Sequence, residues 1–195
     1  MNTVTRKRFS LQEYHQLIEL GFFSPSPKVE LIRGEIFTMA AKGTAHTACC
    51  TKLIRELGKL LVDNAILRCQ DPIILPSASE PEPDFTIAKN RSDDYLSCHP
   101  QPEDILLLIE VADSSLSYDQ ETKLALYGES NILDYWIFNL LDEQLQTYSQ
   151  PYQKSNGKFG YLNQKIFLPN QHINLPGFPD LILDLNKIFP SKANS

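Results

Sequence analysis

The segment that most restricts the fold of this chain is a short apolar run, residues 105–111, which reads ILLLIEV. Polar stretches bound it on both sides, as is typical of a strand that is buried on both faces of a parallel or mixed sheet. Residues 134–139, DYWIFN, are aromatic and β-branched and predict a second strand. Between them, Ser117 followed by Gln120 matches a capping box that starts a helix, and Gly128 suits its end. The sequence therefore predicts a right-handed βαβ unit.

Glu110 is the charged residue within this apolar run. A carboxylate inside a sheet is costly to keep charged unless a metal ion or a cationic side chain lies beside it. The C-terminal ends of strands in open α/β sheets are also where ligands bind. Taken alone, Glu110 could equally be a solvated residue at the strand tip or the partner of an arginine. The positions of the other acidic residues in the chain are needed to distinguish a ligand-binding role of Glu110 from these two alternatives.

The length and composition predict a single globular domain over residues 1–195, because 42% of the residues are hydrophobic. There is no apolar run of about 18 residues, so no membrane-spanning helix is expected. The first residues, MNTVTRKRFSLQEY, contain no apolar signal segment, which favours a cytoplasmic protein.

The four cysteines are Cys49, Cys50, Cys69 and Cys98, and no two of them form a CxxC pair. Adjacent cysteines on a helix, such as Cys49 and Cys50, are poor candidates for a disulfide or a zinc site. Reduced, buried thiols are therefore expected.

The charge balance restricts how the chain can bind nucleic acid. With 18 basic and 24 acidic residues, the net charge is −6. Surfaces that bind nucleic acid by charge alone are usually basic, so a large surface of that kind is not expected. A site in which metal ions neutralise clustered carboxylates remains compatible with this balance.

An N-terminal β-hairpin is predicted from residues 28–32 and 35–39, with a turn at Arg33-Gly34. The alternation of a strand puts Glu30 and Ile32 on one face of this hairpin. On the strand pattern alone, Glu30 is expected on a solvated outer face.

A long amphipathic helix is predicted over residues 44–63, with apolar residues at three- and four-residue spacing. His46 lies on its buried stripe, in the first turn. Such a histidine is commonly a hydrogen-bonded core residue, but its place at a helix start also makes it a candidate site-lining group.

Residues 83–88, PDFTIA, predict a short strand with Asp84 at its start. Glu80 and Glu82 come just before it, so three acidic groups lie close together and would repel one another. A divalent cation would relieve this repulsion, whereas a loop of solvated charges is the competing interpretation.

Asp84, Glu110 and Lys123 together suggest a catalytic site. Two carboxylates on neighbouring strands can hold Mg²⁺ or Mn²⁺ through one or two oxygens and leave room for water and phosphate oxygens. The metal lowers the pKa of a bound water, and a nearby lysine orients that water or neutralises developing charge.

The sequence around these residues resembles the PD-(D/E)XK nuclease superfamily. The similarity is greatest to its Uma-type branch of restriction-endonuclease-like proteins, which are also described as domains of unknown function. The matching segments run in the family order across nearly the whole chain. They are VELIRGEI (29–36), His46, PEPDF (81–85), LLIEVADSSLSYDQETKLALY (107–127), DYWIFN (134–139) and LPGF (175–178).

The resemblance implies catalytic roles for particular residues. Asp84 matches the aspartate of the PD motif, and Glu110 matches the acidic residue of the (D/E)XK motif; both would bind the metal. Glu30 matches the acidic residue of the hairpin motif and would be a further or outer metal ligand.

The catalytic lysine departs from the superfamily pattern. Ala112 stands where a lysine is expected two residues after the acidic residue, and Lys123 is the matching position in this branch. Asp119 and Tyr127 share its helix face, so a simple Asp119–Lys123 pair is the alternative to a catalytic role. Tyr127, like His46, is expected to line the site.

The resemblance implies an α/β fold of the restriction-endonuclease-like type, with a mixed central sheet, a βαβ core flanked by helices and the N-terminal hairpin. It implies a Mg²⁺- or Mn²⁺-dependent endonuclease that hydrolyses DNA, working as a homodimer because two sites cut two strands. Two alternatives stay open: a catalytically inactive binding module, and a phosphodiesterase for small nucleotides, which a narrow pocket would favour.

Overall fold

A computed structural model describes residues 4–23, 28–39 and 41–189. The strands are β1 (Val29–Ile32), β2 (Glu35–Thr38), β3 (Ile66–Cys69), β4 (Phe85–Ala88), β5 (Ile105–Ala112), β6 (Asp134–Asn139), β7 (Gln144–Gln153), β8 (Phe159–Phe167), β9 (His172–Leu175) and β10 (Phe178–Asp184). The helices are α1 (Leu11–Glu19), α2 (Thr44–Leu61) and α3, which joins Leu116–Tyr118, the π-helical Asp119–Lys123 and Leu124–Glu129; short 3₁₀ helices occupy Pro102–Asp104 and Leu185–Lys187. Within the described ranges, every helix is too short or too polar to cross a membrane.

The centre of the fold is a six-stranded mixed sheet in the order β3-β4-β5-β6-β7-β8. Strands β5 and β6 run parallel, and the other neighbouring pairs run antiparallel. Helix α3 connects the two parallel strands, since antiparallel neighbours need only a hairpin but parallel ones need a crossover. The predicted mixed sheet with a βαβ core is therefore confirmed.

Both faces of the sheet are covered, so β5 buries side chains in two directions. Leu107, Ile109 and Val111 point into a core that includes Leu53 and Leu57 of α2. The alternate residues belong to a second core on the α3 side; that core includes Leu108 and Ala112 of β5, Leu126 and Tyr127 of α3, and Ile32 of β1. Because strand side chains alternate, Glu110 lies on this second side, beneath the helix.

The N-terminal hairpin is confirmed, with β1 and β2 paired from Val29↔Thr38 to Ile32↔Glu35. Arg33 and Gly34 both have positive φ, 50° and 76°, as the tight two-residue turn requires. The prediction that Glu30 lies on a solvated outer face is wrong, because Glu30 is fully buried. Strand β1 also bonds the segment before β4, through Leu31 and the backbone of Glu80, and this docks the hairpin against the sheet.

The start and end of α3 differ from the prediction. Ser115, not Ser117, occupies the N-cap position, and Ser117 lies within the first helical turn. Gly128 is inside the last segment rather than beyond it, and Ser130 is the C-cap. The Ser-x-x-Gln pattern fits Ser117 but not Ser115, which is followed three residues later by Tyr118. The helix nevertheless begins after Ser115, whose carbonyl oxygen accepts a hydrogen bond from the Asp119 N–H.

All four cysteines are free thiols. Cys49 and Cys50 are buried as expected. Cys69 is only partly buried and Cys98 is exposed, so the expectation of buried thiols is wrong for Cys98 and only partly met by Cys69. Burial raises the pKa of Cys49 to about 12, and it raises the pKa of Cys50 still further. Both buried thiols are therefore protonated at neutral pH.

Two helical glycines allow a matched stability test. A Cβ added to Gly128 would lie 3.1 Å from the carbonyl oxygen of Gly160 in β8, whereas a Cβ on Gly58 in α2 would meet nothing within 4 Å. We expect Gly128→Ala to lower the free energy of unfolding by about 1–3 kcal/mol through overpacking. Gly58→Ala should raise it by about 0.5–1 kcal/mol through helix propensity. Urea unfolding of both variants measures these effects, and equal stabilisation by the two would contradict the packing of α3 on β8.

Candidate active site

Asp84 lies directly before β4 and is 6% exposed. Its Oδ1 accepts a hydrogen bond from Lys42 Nζ at 3.0 Å, and its Oδ2 contacts His46 Nε2 at 2.9 Å. The backbone N–H of Val111 donates to Oδ2 at 2.9 Å. Burial alone would raise the pKa of Asp84, but the His46 contact, Lys42 and the Val111 N–H together lower it to about 2. The carboxylate is therefore ionised at neutral pH.

Glu110 lies on the adjacent strand β5 and is 3% exposed. Its Oε1 accepts hydrogen bonds from Lys123 Nζ at 2.8 Å and from the Tyr127 hydroxyl at 2.9 Å. Its Oε2 accepts a longer bond, 3.3 Å, from the backbone N–H of Asp84. Burial raises the pKa of Glu110, while the ammonium of Lys123 opposes that rise and favours the ionised form. The ionised form of Glu110 therefore depends on cations close to it.

Lys123 is 1% exposed and lies between two carboxylates. Its Nζ is 2.8 Å from Glu110 Oε1 and 3.7 Å from Glu30 Oε2. Glu30 in turn accepts hydrogen bonds from the Tyr118 hydroxyl at 2.7 Å and from the Glu82 N–H at 3.2 Å. Burial would lower the pKa of Lys123, but the surrounding carboxylates raise it well above its ordinary value. The buried ammonium is therefore charged and fixed in position.

The alternative interpretation of Lys123, a simple ion pair with Asp119, assumed regular α-helical spacing between the two residues. Residues Asp119–Lys123 instead form a π-helical turn. The ion pairs of Lys123 are with Glu110 and Glu30, while Asp119 accepts a hydrogen bond from Ser115 Oγ at 2.6 Å. Burial raises the pKa of Asp119 to about 6. Single π-helical turns inside α-helices occur frequently at functional sites.

A cleft of about 60 Å³ opens beside these groups, between the start of α2 and the start of α3. That volume can hold an ion with one or a few water molecules. Four of the residues predicted for the site line it: His46, Asp84, Glu110 and Lys123. Glu30 and Tyr127, also predicted for the site, are fully buried and contact Lys123 and Glu110 from the interior.

Three neighbouring residues were not anticipated from the sequence. Lys42 comes just before α2 and contacts Asp84, and Tyr118 contacts Glu30; no sequence pattern marked either one. Cys50 is different, because it follows His46 by four residues and so shares a helix face with it. Its sulfur lies 3.6 Å from His46 Nδ1. The adjacent Cys49 obscured this spacing in the sequence.

A protein-family profile described as "Uma2: Putative restriction endonuclease" matches residues 11–186. The chain belongs to the Uma2 family. The resemblance to the Uma-type, restriction-endonuclease-like branch is thereby confirmed, and the matched range contains the whole of the cluster around Asp84 and Glu110. A search of curated proteins finds no match.

One solved structure shares the architecture of this Uma2 protein. A structure described as "a putative nuclease belonging to DUF820" from Anabaena variabilis superposes with a TM-score of 0.70 at 15% sequence identity, covering 93% of this chain and 97% of that one. It shows that the restriction-endonuclease-like fold is shared. The type IIG restriction endonuclease BpuSI gives a TM-score of 0.36 at 16% identity, covering 66% of this chain and 15% of that one, which is too low for a comparison of folds.

The buried lysine of this Uma2 protein can be tested by a double-mutant cycle in a metal-free buffer with chelator. Lys123→Met should lower the free energy of unfolding by about 3–5 kcal/mol, because it leaves Glu110 and Glu30 buried without their cation. Glu110→Gln should lower it less, since Lys123 keeps Glu30. The double variant should lose at least about 1 kcal/mol less than the sum of the two single losses.

Denaturant unfolding at pH 7 measures each free energy in this cycle. The matched control is Lys59→Met, which removes an exposed lysine paired with Glu56 and should change the stability by no more than about 0.5 kcal/mol. Strictly additive losses for Lys123 and Glu110 would show that the two side chains do not stabilise each other.

Proposed function

We propose that this Uma2 protein is a divalent-metal-dependent endonuclease that hydrolyses phosphodiester bonds in DNA. The observation that carries the proposal is the convergence of Asp84 and Glu110, from adjacent strands, on one cleft beside the fixed ammonium of Lys123. Membership of a family described as "Putative restriction endonuclease" supports it, and so does the fold shared with a solved structure.

The donor atoms suit a hard divalent cation. Asp84 and Glu110 both present carboxylate groups to the cleft, which Mg²⁺ and Mn²⁺ prefer as ligands. The Lys42 ammonium lies 3.0 Å from Asp84 and acts as its counter-cation. Because the Lys42 side chain is 31% exposed, it can move towards solvent when a metal ion binds Asp84. When bound, such an ion lowers the pKa of a water molecule and stabilises negative charge on a phosphate.

The residues around the carboxylates would then have distinct roles. An ammonium has three N–H donors, so Lys123 can hold its two carboxylates and still donate to a water or a phosphate oxygen in the cleft. Glu30 and Tyr127 would fix Lys123 and Glu110 in place, with Glu30 as an outer residue of the metal site. His46 would orient Asp84 through their 2.9 Å contact.

A second candidate substrate class is a small phosphodiester, such as a short nucleotide. The small volume of the cleft and the net charge of −6 favour it, because duplex DNA is generally bound by extended basic surfaces. Hydrolysis of a small phosphodiester would use the same metal chemistry at the same residues as hydrolysis of DNA. The two candidate functions are therefore distinguished by which substrates the protein cleaves.

We also propose that the protein acts as a homodimer, because cutting both strands of a duplex requires two sites. Sedimentation equilibrium and the ratio of linear to nicked plasmid test this together. A monomer that produces nicked circles alone would contradict it.

Cleavage assays with Mg²⁺ or Mn²⁺ on plasmid, single-stranded DNA and a dinucleotide test the proposed activity. Removing a group that stabilises transition-state charge usually lowers the rate by about 10²–10³-fold. We expect losses of at least about 100-fold for Asp84→Asn, Glu110→Gln and Lys123→Met. The control Glu56→Gln changes an acidic residue paired with Lys59 on α2 and should keep the wild-type rate.

Two results would contradict the nuclease proposal. One is a folded wild-type protein that cleaves none of these substrates with either metal, which supports the binding-module alternative. The other is cleavage that persists in both carboxylate variants, since the activity would then arise elsewhere.

The counter-cation role of Lys42 has a consequence of its own. If its ammonium competes with the metal for Asp84, then Lys42→Met should bind Mn²⁺ about 2–5-fold more tightly than the wild type, as expected for the loss of a partly exposed ion pair. The paramagnetic resonance signal of free Mn²⁺ measures this affinity directly. Weaker binding by the variant would mean that Lys42 assists the metal site instead.

A further inference from the structure

A second set of possible metal ligands lies on the α2 side of Asp84. One ligand atom each from His46, Cys50 and Asp84 fall within 4.8 Å of one another, and all three residues are buried. His46 and Cys50 are one helical turn apart on the same face of α2, the spacing with which a helix presents two ligands to one ion. Asp84 completes the group from the neighbouring strand.

The distances are close to those of a tetrahedral site. His46 Nε2 is 2.9 Å from Asp84 Oδ2, and Cys50 Sγ is 3.6 Å from Nδ1 and 3.9 Å from Nε2 of His46. Around a tetrahedral zinc ion with bonds of about 2.0–2.3 Å, nitrogen and oxygen ligands lie about 3.3 Å apart and nitrogen and sulfur about 3.6 Å. Shifts of a few tenths of an ångström would bring His46 Nε2 to these separations from Asp84 Oδ2 and from Cys50 Sγ. The ligand atoms of Cys50 and Asp84 lie within 4.8 Å of each other.

We propose that His46, Cys50 and Asp84 form a site for a thiophilic divalent ion of the Zn²⁺ or Co²⁺ type. His46 and Asp84 both line the cleft, so a fourth position is open to water from that side. The ion would take the place of the proton shared by His46 Nε2 and Asp84 Oδ2.

The ligand types select the ion. Thiolate and imidazole suit zinc and cobalt, whereas Mg²⁺ requires oxygen ligands. A metal ion is bound by the thiolate form of Cys50 rather than by the thiol. Coordination therefore deprotonates the thiol, and the released proton goes to solvent. Binding should therefore weaken as the pH falls.

Asp84 belongs to both the proposed magnesium site and this one. A thiophilic ion at His46 and Cys50 would occupy an Asp84 oxygen and alter the site that a hard cation shares with Glu110. Zn²⁺ is therefore an inhibitor in this account, a consequence that rests on the proposed nuclease function, whereas the binding site itself does not.

Titration of the metal-free protein with Co²⁺ tests the site through the near-ultraviolet absorption of a thiolate–cobalt bond. We expect the wild type to develop this band with one equivalent of Co²⁺. Cys50→Ala should abolish the band, and Asp84→Asn should weaken Co²⁺ binding at least about tenfold.

The neighbouring cysteine provides the matched control. Cys49 is also buried on α2, but it follows His46 by three residues, and within the described part of the chain the thiol that contacts His46 is that of Cys50. Cys49→Ala should therefore keep the band. Circular dichroism confirms that each variant is folded. The proposal is overturned if the folded wild type shows no thiolate–cobalt band, or if the band survives in Cys50→Ala.

Glu110→Gln separates this proposal from the nuclease proposal. It removes a residue of the proposed magnesium site but none of the three thiophilic ligands, so it should keep the cobalt band. If the wild type shows the band and no cleavage, the nuclease function fails and the thiophilic site stands. If cleavage occurs, one equivalent of Zn²⁺ should inhibit the wild type at least about tenfold more than Cys50→Ala; equal inhibition would contradict the shared use of Asp84.

Discussion

The buried ammonium of Lys123, held between Glu110 and Glu30, is the interaction on which this arrangement depends. It joins three parts of the chain: α3 supplies the lysine, β5 supplies one carboxylate and the N-terminal hairpin supplies the other. None of the three charges could be buried alone without a large desolvation penalty. The hairpin, the central strand and the helix therefore have to dock together, and their docking closes the interior side of the cleft.

The two site carboxylates lie in contrasting environments, although the backbone N–H of Asp84 donates a hydrogen bond to the Glu110 carboxylate. Asp84 has a pKa of about 2 because His46, Lys42 and a backbone N–H compensate for its burial. The pKa of Glu110 is raised by burial, and the attraction of Lys123 opposes that rise. A divalent cation between them would favour the ionised form of both. The polypeptide thus provides a pair of carboxylates whose charge balance is completed by binding a cation.

The sequence predicts those features that depend on neighbouring residues. The apolar run of β5, the Arg33-Gly34 turn and the amphipathic stripe of α2 are local patterns, and the structure contains all three. The burial of Glu30 could not be predicted in this way, because alternation defines the two faces of a strand but not which face another element covers. Lys42 and the π-helical turn of α3 are likewise determined by packing. The family pattern, rather than periodicity, identified Lys123 as a site residue.

Calorimetric titration with Mg²⁺ tests the central claim most directly, because this ion binds through oxygen ligands and reports on the carboxylate pair. The wild type, Asp84→Asn and Glu110→Gln would be compared in the same metal-free buffer. The account predicts that the wild type binds Mg²⁺ and that each variant binds it at least about tenfold more weakly. Equally poor binding by all three proteins, with the variants more stable than the wild type, would show that Asp84 and Glu110 form a strained pair with no metal to bind.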